Sequence, residues 1–457
     1  MSIFKFSIVI LAAGKGKRML TSIPKSFFPV YGKPMIQYIL NTLKKIKTDN
    51  VYIVYNSDCE NIKNSLNLHG IKVKWILQKF PLGTGDAIKQ VIPYAYKDKH
   101  LLILLGDMPL IKKKTIKNLI KKYKLKRNFT IVTAFLKNPT GYGRIIRKNE
   151  KIIKIIEESN ITSDKYLKIK EVNSGIFFIN KKILIYLIKK IKKDKKTKEI
   201  YITKILNYAY KKDIKVTSLM VRNKSEIINI NNKLQLFVVE KIIRKNKIIK
   251  LLSSGVNIYN VSRIEIYGDV THGKDLTIEP DVVLKGKIFL GNNVKIKNGS
   301  ILENVHIEDN VTIYPYSYIK NTKIMSNSKI GPFAVILKSK IKKNTKIGSF
   351  VEIKNTSFGD FSKAKHLSYL GDSEVGKKVN IGAGVIVCNY DGMYKHKTII
   401  GDNVFIGADT QIIAPLRITK DATIGAGSTI TKNVLSNGLT ISRVKQFSIK
   451  NWKRVKK

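Results

Sequence analysis

The feature that most constrains this chain is a six-residue beat in its second half. Aliphatic residues recur at Ile278, Leu284, Leu290, Ile296 and Leu302, then at Ile307, Ile313 and Ile319, then at Ile330 and Ile336. The series resumes at Ile341, Ile347 and Ile353, at Val375, Ile381 and Val387, and from Ile400 through Ile406, Ile412, Ile418 and Ile424 to Ile430. A helix repeats its buried face every 3.6 residues and a strand every 2, so neither sustains a period of six. A solenoid with three short strands per coil does, because each hexad supplies one side and sends one aliphatic side chain inward. Glycines directly after the aliphatic residue, as in IGPF, IGSF and IGAG, suit tight corners. The pattern predicts a parallel β-helix. Residues 354–373 fall off the beat and read as an excursion from the rod, a natural place for function.

The first half has a different grammar. SIVILAA, VYIVYN, VKWILQ, HLLILLGD and FTIVTAF are β-rich, and PMIQYILNTLKKI has helical periodicity, the alternation of a parallel α/β domain. KLQLFVVEKIIRKNKIIKLLSSG, starting at Lys233, reads as a long helix joining the halves and stopped by glycine. The expected organisation is 1–231, a linker helix over 232–252, and 253–457.

Composition narrows the class of partner. The 457 residues carry a formal charge of +54, which by itself suggests a polyanion. The lysines are diffuse, however, and accompany abundant Ile, Asn and Tyr, the signature of an AT-rich genome. No aromatic-interleaved basic patch is present to stack bases, so no nucleic-acid partner is expected. Cys59 and Cys388 are too few for a disulfide scaffold and fit a reducing cytoplasm. No apolar run approaches the ~18 residues of a membrane span, so no membrane insertion is expected. In SIVILAAGKGKRM the charges follow the apolar run, which fits a first strand better than a signal peptide.

That strand ends in Gly14 and Gly16, whose backbone N–H groups suit a phosphate, with Lys15, Lys17 and Arg18 beside them. The spacing is neither a Walker loop nor GxGxxG. Lys25 follows in IPKSF, a second glycine loop stands at Gly83 and Gly85, and LLILLGDMPL ends a strand in Asp107. A carboxylate at a strand tip either holds Mg2+ or caps a turn.

LAAGKGKRM, QKFPLGTGDA, GDMPL, PTGYGRI, EVNSGIF and INNKLQL occur in the order of a sugar-1-phosphate nucleotidyltransferase. Joined to a hexapeptide rod with HLSYLGD and NIGAGVIVCNYDG, the chain resembles, over essentially its whole length, the bacterial bifunctional N-acetylglucosamine-1-phosphate uridyltransferase/glucosamine-1-phosphate N-acetyltransferase family. The resemblance implies a Rossmann-like, mostly parallel α/β nucleotidyltransferase domain followed by a left-handed parallel β-helix. It implies uridylyl transfer from UTP to N-acetylglucosamine-1-phosphate with Mg2+ as cofactor. Nucleotide contacts fall on Leu11, Ala12, Ala13, Gly14, Lys25, Gln78, Gly83 and Thr84. Sugar contacts fall on Gly143, Glu157, Asn173 and Asn231, and the metal ligands are Asp107 and Asn231. Arg18 and Lys25 are expected to stabilise the pyrophosphate leaving group of an in-line displacement. Lys17 stands where the family usually has Thr.

For the rod, the resemblance implies acetyl transfer from acetyl-CoA to glucosamine-1-phosphate, with His366 as the general base and Glu352 as the candidate to orient it. Acceptor contacts fall on Lys354, Tyr369, Asn380 and Lys395, and acetyl-CoA contacts on Ala383, Asn389, Tyr390, Ala408, Ala426 and Arg443. Asn389 or a backbone N–H is the candidate oxyanion donor. Two departures stand out. Ala408 replaces a common Ser, and VILKSK is one residue shorter than the family's LRPG-like stretch, leaving Lys338 in place of a phosphate-binding Arg. Weaker acceptor binding is the expected result. The tail NWKRVKK is a further candidate for acetyl-CoA contact. A homotrimer is expected, with the His366 segment meeting an adjacent rod. Two other readings compete: a uridyltransferase whose rod only trimerises, told apart by thiol release from acetyl-CoA, and a basic nucleic-acid-binding protein, told apart by salt-sensitive DNA binding without nucleotide turnover.

Overall fold

The computed structural model describes residues 4–126, 128–195 and 197–453. Two compact units, Met1–Ile243 and Arg244–Lys457, divide inside a single helix, Lys233–Ser253.

The first unit is built on a nine-stranded sheet: β1 (Ser7–Leu11), β2 (Val51–Tyr55), β3 (Val73–Leu77), β4 (His100–Leu105), β5 (Phe129–Phe135), β6 (Arg144–Lys148), β7 (Lys151–Ile156), β8 (Glu171–Asn180) and β9 (Val216–Met220). The main order is β9-β5-β8-β4-β1-β2-β3, with the β6–β7 hairpin attached to β8. β8 runs antiparallel to both β4 and β5, while the other main-path pairs are parallel. Side chains of β1 alternate between two cores. Ile8 and Ile10 pack with Ile36, Ile39 and Leu40 of the helix Met35–Leu43, and Val9 packs with Ala87, Ile88 and Val91 of the helix Thr84–Val91. After β1 the chain builds outward to β2 and β3, then returns to place β4 on the other side of β1. That reversal opens a crevice at the carboxyl ends of β1 and β4, where open α/β sheets bind ligands.

The second unit is a left-handed parallel β-helix of 26 short strands. Its coils are in register through Ile296, Ile313, Ile330, Ile347, Ala364 and Ile381, each 17 residues beyond the last. Two sides of six residues and one of five make each such coil. The five-residue side explains the jumps between hexad runs, as from Leu302 to Ile307 and from Ile336 to Ile341.

The same count corrects the excursion expected over 354–373. Those residues continue the rod: Lys363–Gly371 is a strand paired with Lys346–Lys354, and Phe358, Ala364 and Leu370 are fully buried in the core. The beat is present there, written in a phenylalanine and an alanine instead of isoleucine. The actual excursion comes later. The coil from Ile381 to Ile406 is 25 residues long, and the extra length lies between the strands Ile386–Cys388 and Thr398–Ile400.

Corners use the left-handed backbone region, which Asn and Asp tolerate best. Asn304, Asn321, Asn355 and Asp372 occupy one corner with positive φ, and Lys338 joins them at φ +48°. Val335–Leu337 pairs residue for residue with the coils on either side, so the short VILKSK segment simply makes a tight corner. No helix among the described residues is long and apolar enough to cross a membrane.

Candidate active sites

In the α/β unit the loops after β1 and β4 face a cavity of about 580 Å³. Leu11, Ala13, Gly14, Arg18, Lys25, Gln78, Gly83, Thr84, Asp107, Gly143, Glu157, Asn173 and Asn231 all line it. Residues from seven separate segments therefore meet as the sequence predicts. Ala12 does not line it. Its side chain is fully buried in the core below, and its N–H donates to the Val54 carbonyl at 2.8 Å. The side chain of Lys17 lies outside the described residues.

Local forces hold each wall. A Cβ on Gly14 would meet nothing within 4 Å, so its backbone borders open space, while Gly83 needs its φ of +100° to start the helix Thr84–Val91. Buried Gln78 donates to Asp86 at 2.7 Å and to the Gly83 carbonyl at 3.3 Å, tying the second glycine loop to β3. Thr84 Oγ1 accepts from the Ile202 N–H at 3.1 Å. On the sugar side, Asn173 N–H donates to the Gly143 carbonyl at 2.9 Å. Burial pushes the Glu157 carboxyl above the usual carboxylate range, opposed by a hydrogen bond from Thr203.

The Lys25 ammonium contacts Asp107 Oδ2 and donates to Asn231 Oδ1 at 2.6 Å. Asp107 Oδ1 and Asn229 Oδ1 are buried with no hydrogen-bond partner. The cluster thus offers hard oxygen donors with unsatisfied lone pairs and a cation already between two of them, which fits a divalent metal. Among the described residues no three His, Cys, Asp or Glu side chains are grouped so as to hold a metal by themselves. Sequence reasoning missed Tyr142, Tyr201, Thr203 and Asn229, which also line the cavity. Tyr142 lies within the quoted PTGYGRI, and Asn229 stands two residues before Asn231, just outside the quoted INNKLQL.

The rod distributes its candidates over different sides. His366 is exposed on the strand Lys363–Gly371, and its paired neighbour one coil back is Ser349. Ala383, Ala408 and Ala426 follow on successive coils at the same corner, all exposed. Backbone bonds join this column: Asp409 N–H to the Ala383 carbonyl at 2.7 Å and Gly427 N–H to the Ala408 carbonyl at 2.8 Å. Arg443 Nη1 caps it on the Ala426 carbonyl at 2.8 Å. Beyond the histidine this column therefore presents only small exposed side chains.

Glu352, Lys354 and Tyr369 stand on the next side, in paired strands. Burial and the nearby Glu352 charge push the Tyr369 hydroxyl pKa up. Buried Asn389 donates to Asp372 Oδ2 at 2.5 Å and meets the Tyr369 hydroxyl. Among the described residues no hydrogen bond joins Glu352 to His366, which lie on opposite sides of a corner. Asn380 is on the His366 side, paired with Lys363. Lys338 and Lys395 line a separate cavity of about 750 Å³ with Lys340, Glu374 and His396. Tyr390 is exposed at the start of the excursion. Of the tail, residues 451–453 are exposed and 454–457 lie outside the described residues.

These two centres can be set beside known proteins. Residues 7–246 match the nucleotidyl transferase family, residues 284–399 the GMPPB C-terminal domain, and residues 397–432 the bacterial transferase hexapeptide repeats. The Bifunctional protein GlmU of Blochmanniella pennsylvanica is 43% identical over 460 residues, covering 100% of this chain and 99% of that protein. The Bifunctional protein GlmU of Wigglesworthia glossinidia brevipalpis is 47% identical over 447 residues, covering 97% and 96%. The chain belongs to the bifunctional GlmU family. Both GlmU halves are therefore present in one polypeptide, a nucleotidyl transferase unit and a hexapeptide transferase rod.

Proposed function

We propose that the chain makes UDP-N-acetylglucosamine in two steps in the cytoplasm, acetylating glucosamine-1-phosphate in the rod (253–457) and uridylylating the product in the α/β domain (1–231). The single cavity that gathers the glycine loops, Lys25, Asp107, Glu157 and Asn231 carries this reading.

In the α/β cavity the loop at Gly14 and Arg18 receives the triphosphate, and Gly83 and Thr84 border the nucleoside. Asn173, the Gly143 backbone and Glu157 hold the sugar, whose phosphate oxygen attacks the α-phosphorus while pyrophosphate leaves in line. Lys25 and Arg18 take up the charge that grows on the leaving group. Asp107 and Asn231 would hold Mg2+, which when bound neutralises the phosphate oxygens.

In the rod His366 accepts a proton as the amine of glucosamine-1-phosphate attacks the thioester carbon of acetyl-CoA; the C–N bond forms and coenzyme A leaves as the thiol. The alanine column 383/408/426, with Arg443, receives acetyl-CoA. Lys354 and Tyr369 bind the acceptor. Asn380, Lys338 and Lys395 complete the acceptor site, together with neighbouring copies in a homotrimer. The test is one preparation given UTP, N-acetylglucosamine-1-phosphate and Mg2+ with pyrophosphate followed, and in parallel acetyl-CoA and glucosamine-1-phosphate with free thiol followed. Both products are expected. Pyrophosphate without thiol reduces the rod to a scaffold, and neither product ends the reading.

A further inference from the structure

Between Cys388 and Thr398 the chain leaves the rod and returns. This excursion carries Lys395, which the proposed acceptor site uses, and Asn389 and Tyr390, the expected acetyl-CoA contacts, yet among the described residues the coil-to-coil backbone hydrogen bonds that fix the rest of the rod do not run through its tip. Its shape is held from within, by Asp391. Oδ1 of Asp391 accepts the backbone N–H of Met393 at 2.8 Å and of Tyr394 at 2.6 Å. Oδ2 meets His396 Nε2 at 2.6 Å. An ionised carboxylate only accepts, so the imidazole donates. His396 and the two backbone amides hold the Asp391 carboxyl well below the usual carboxylate range. His396 also donates its backbone N–H to the Asn389 carbonyl at 2.7 Å, and a bridge pairs Tyr390 with Lys395. One side-chain contact therefore links the tip of the excursion to its returning arm, beside Lys395.

We infer that Asp391 and His396 form a positioning pair: their contact sets where Asn389, Tyr390 and Lys395 stand. The inference rests on the acetyl-transfer reading above. A pair that places binding groups instead of reacting atoms acts on KM more than on kcat.

The experiment compares His396→Leu, which keeps bulk but has no donor, with His396→Gln, whose amide N–H still reaches Asp391. Thiol release is measured against acetyl-CoA and glucosamine-1-phosphate concentration, and uridylyl transfer on the same samples reports folding of the preparation. In His396→Leu the KM for at least one substrate rises about tenfold and kcat stays within about threefold. In His396→Gln both constants stay within about twofold of the unaltered chain, and uridylyl transfer is the same in all three. Normal KM values in His396→Leu, or equal damage in both variants, overturn the pair while leaving the function intact. An unaltered chain that releases no thiol overturns the acetyl-transfer reading itself, and the positioning role with it.

Discussion

In the α/β unit, Leu11, Asp107 and Asn231 lie far apart in the chain and end on one cavity. In the rod, Lys338, Tyr369 and Asn380 lie close together in the chain and end at a corner and on two different sides. The difference follows from the folds. A sheet whose order reverses brings the ends of non-adjacent strands together at one edge, so a single chain can enclose a substrate. A solenoid keeps residues near their sequence neighbours and offers only flat sides and corners. A pocket on a rod needs something laid against it, either an excursion from its own coil or a second copy.

The sharpest way to break this contrast is to disable each centre separately. Asp107→Ala should lower uridylyl transfer by about 10²–10³-fold and leave acetyl transfer within twofold. His366→Ala should lower acetyl transfer by about 10²–10⁴-fold and spare uridylyl transfer. Pyrophosphate and thiol assays on one preparation read both, and a variant that lowers both activities equally contradicts the separation. Next in size is the rod core. Phe358→Ala should cost about 3–5 kcal/mol, because Phe358 is fully buried and its neighbours in the repeat are already committed. A urea titration followed by a probe in the rod measures it, and a change under 1 kcal/mol would show that the coil relaxes around the hole.

Dilution tests the enclosure by copies. If neighbouring rods complete the acceptor site, specific acetyl-transfer activity falls about tenfold once dilution dissociates the assembly, while uridylyl transfer per chain stays constant. Sedimentation on the same dilution series shows whether the two losses coincide. The smallest effect concerns Glu157. Its carboxyl is raised by burial, so ionising it opposes folding; the penalty appears as pH rises through the unfolded carboxylate value and is complete above the folded one. Stability of Glu157→Gln relative to the unaltered chain should therefore increase from pH 4 to pH 7, as chemical denaturation at the two pH values would show. A difference that shrinks is contrary to this sign.

Much of the architecture was legible because it is written in periodicity. The β1 strand, its glycine loop and the long helix from Lys233 stand where the hydrophobic pattern puts them. The coil length was harder to read. A search for repeated Ile, Leu and Val passes over Phe358 and Ala364, although a large and a small residue fill the same column positions. Asn293, Asn310, Asn327 and Asn344, spaced by 17 and all left-handed, carried the missing signal. In the α/β site the predicted residues meet except Ala12, since motif order says which loops converge but not which side chain of a loop turns inward. In the rod, no spacing rule told that a corner lies between His366 and Glu352, or that Asp391 reaches His396.

The 25-residue coil has one more consequence. Ile381 and Ile406 stack in register although the excursion lies between them. Extra chain that leaves at a corner and comes back to it rotates nothing downstream, whereas one residue added inside a side would turn every later isoleucine toward water. Such a rod can acquire new loops only at its edges, and there it can lengthen them freely, so chemical novelty and the buried spine are inherited on separate accounts.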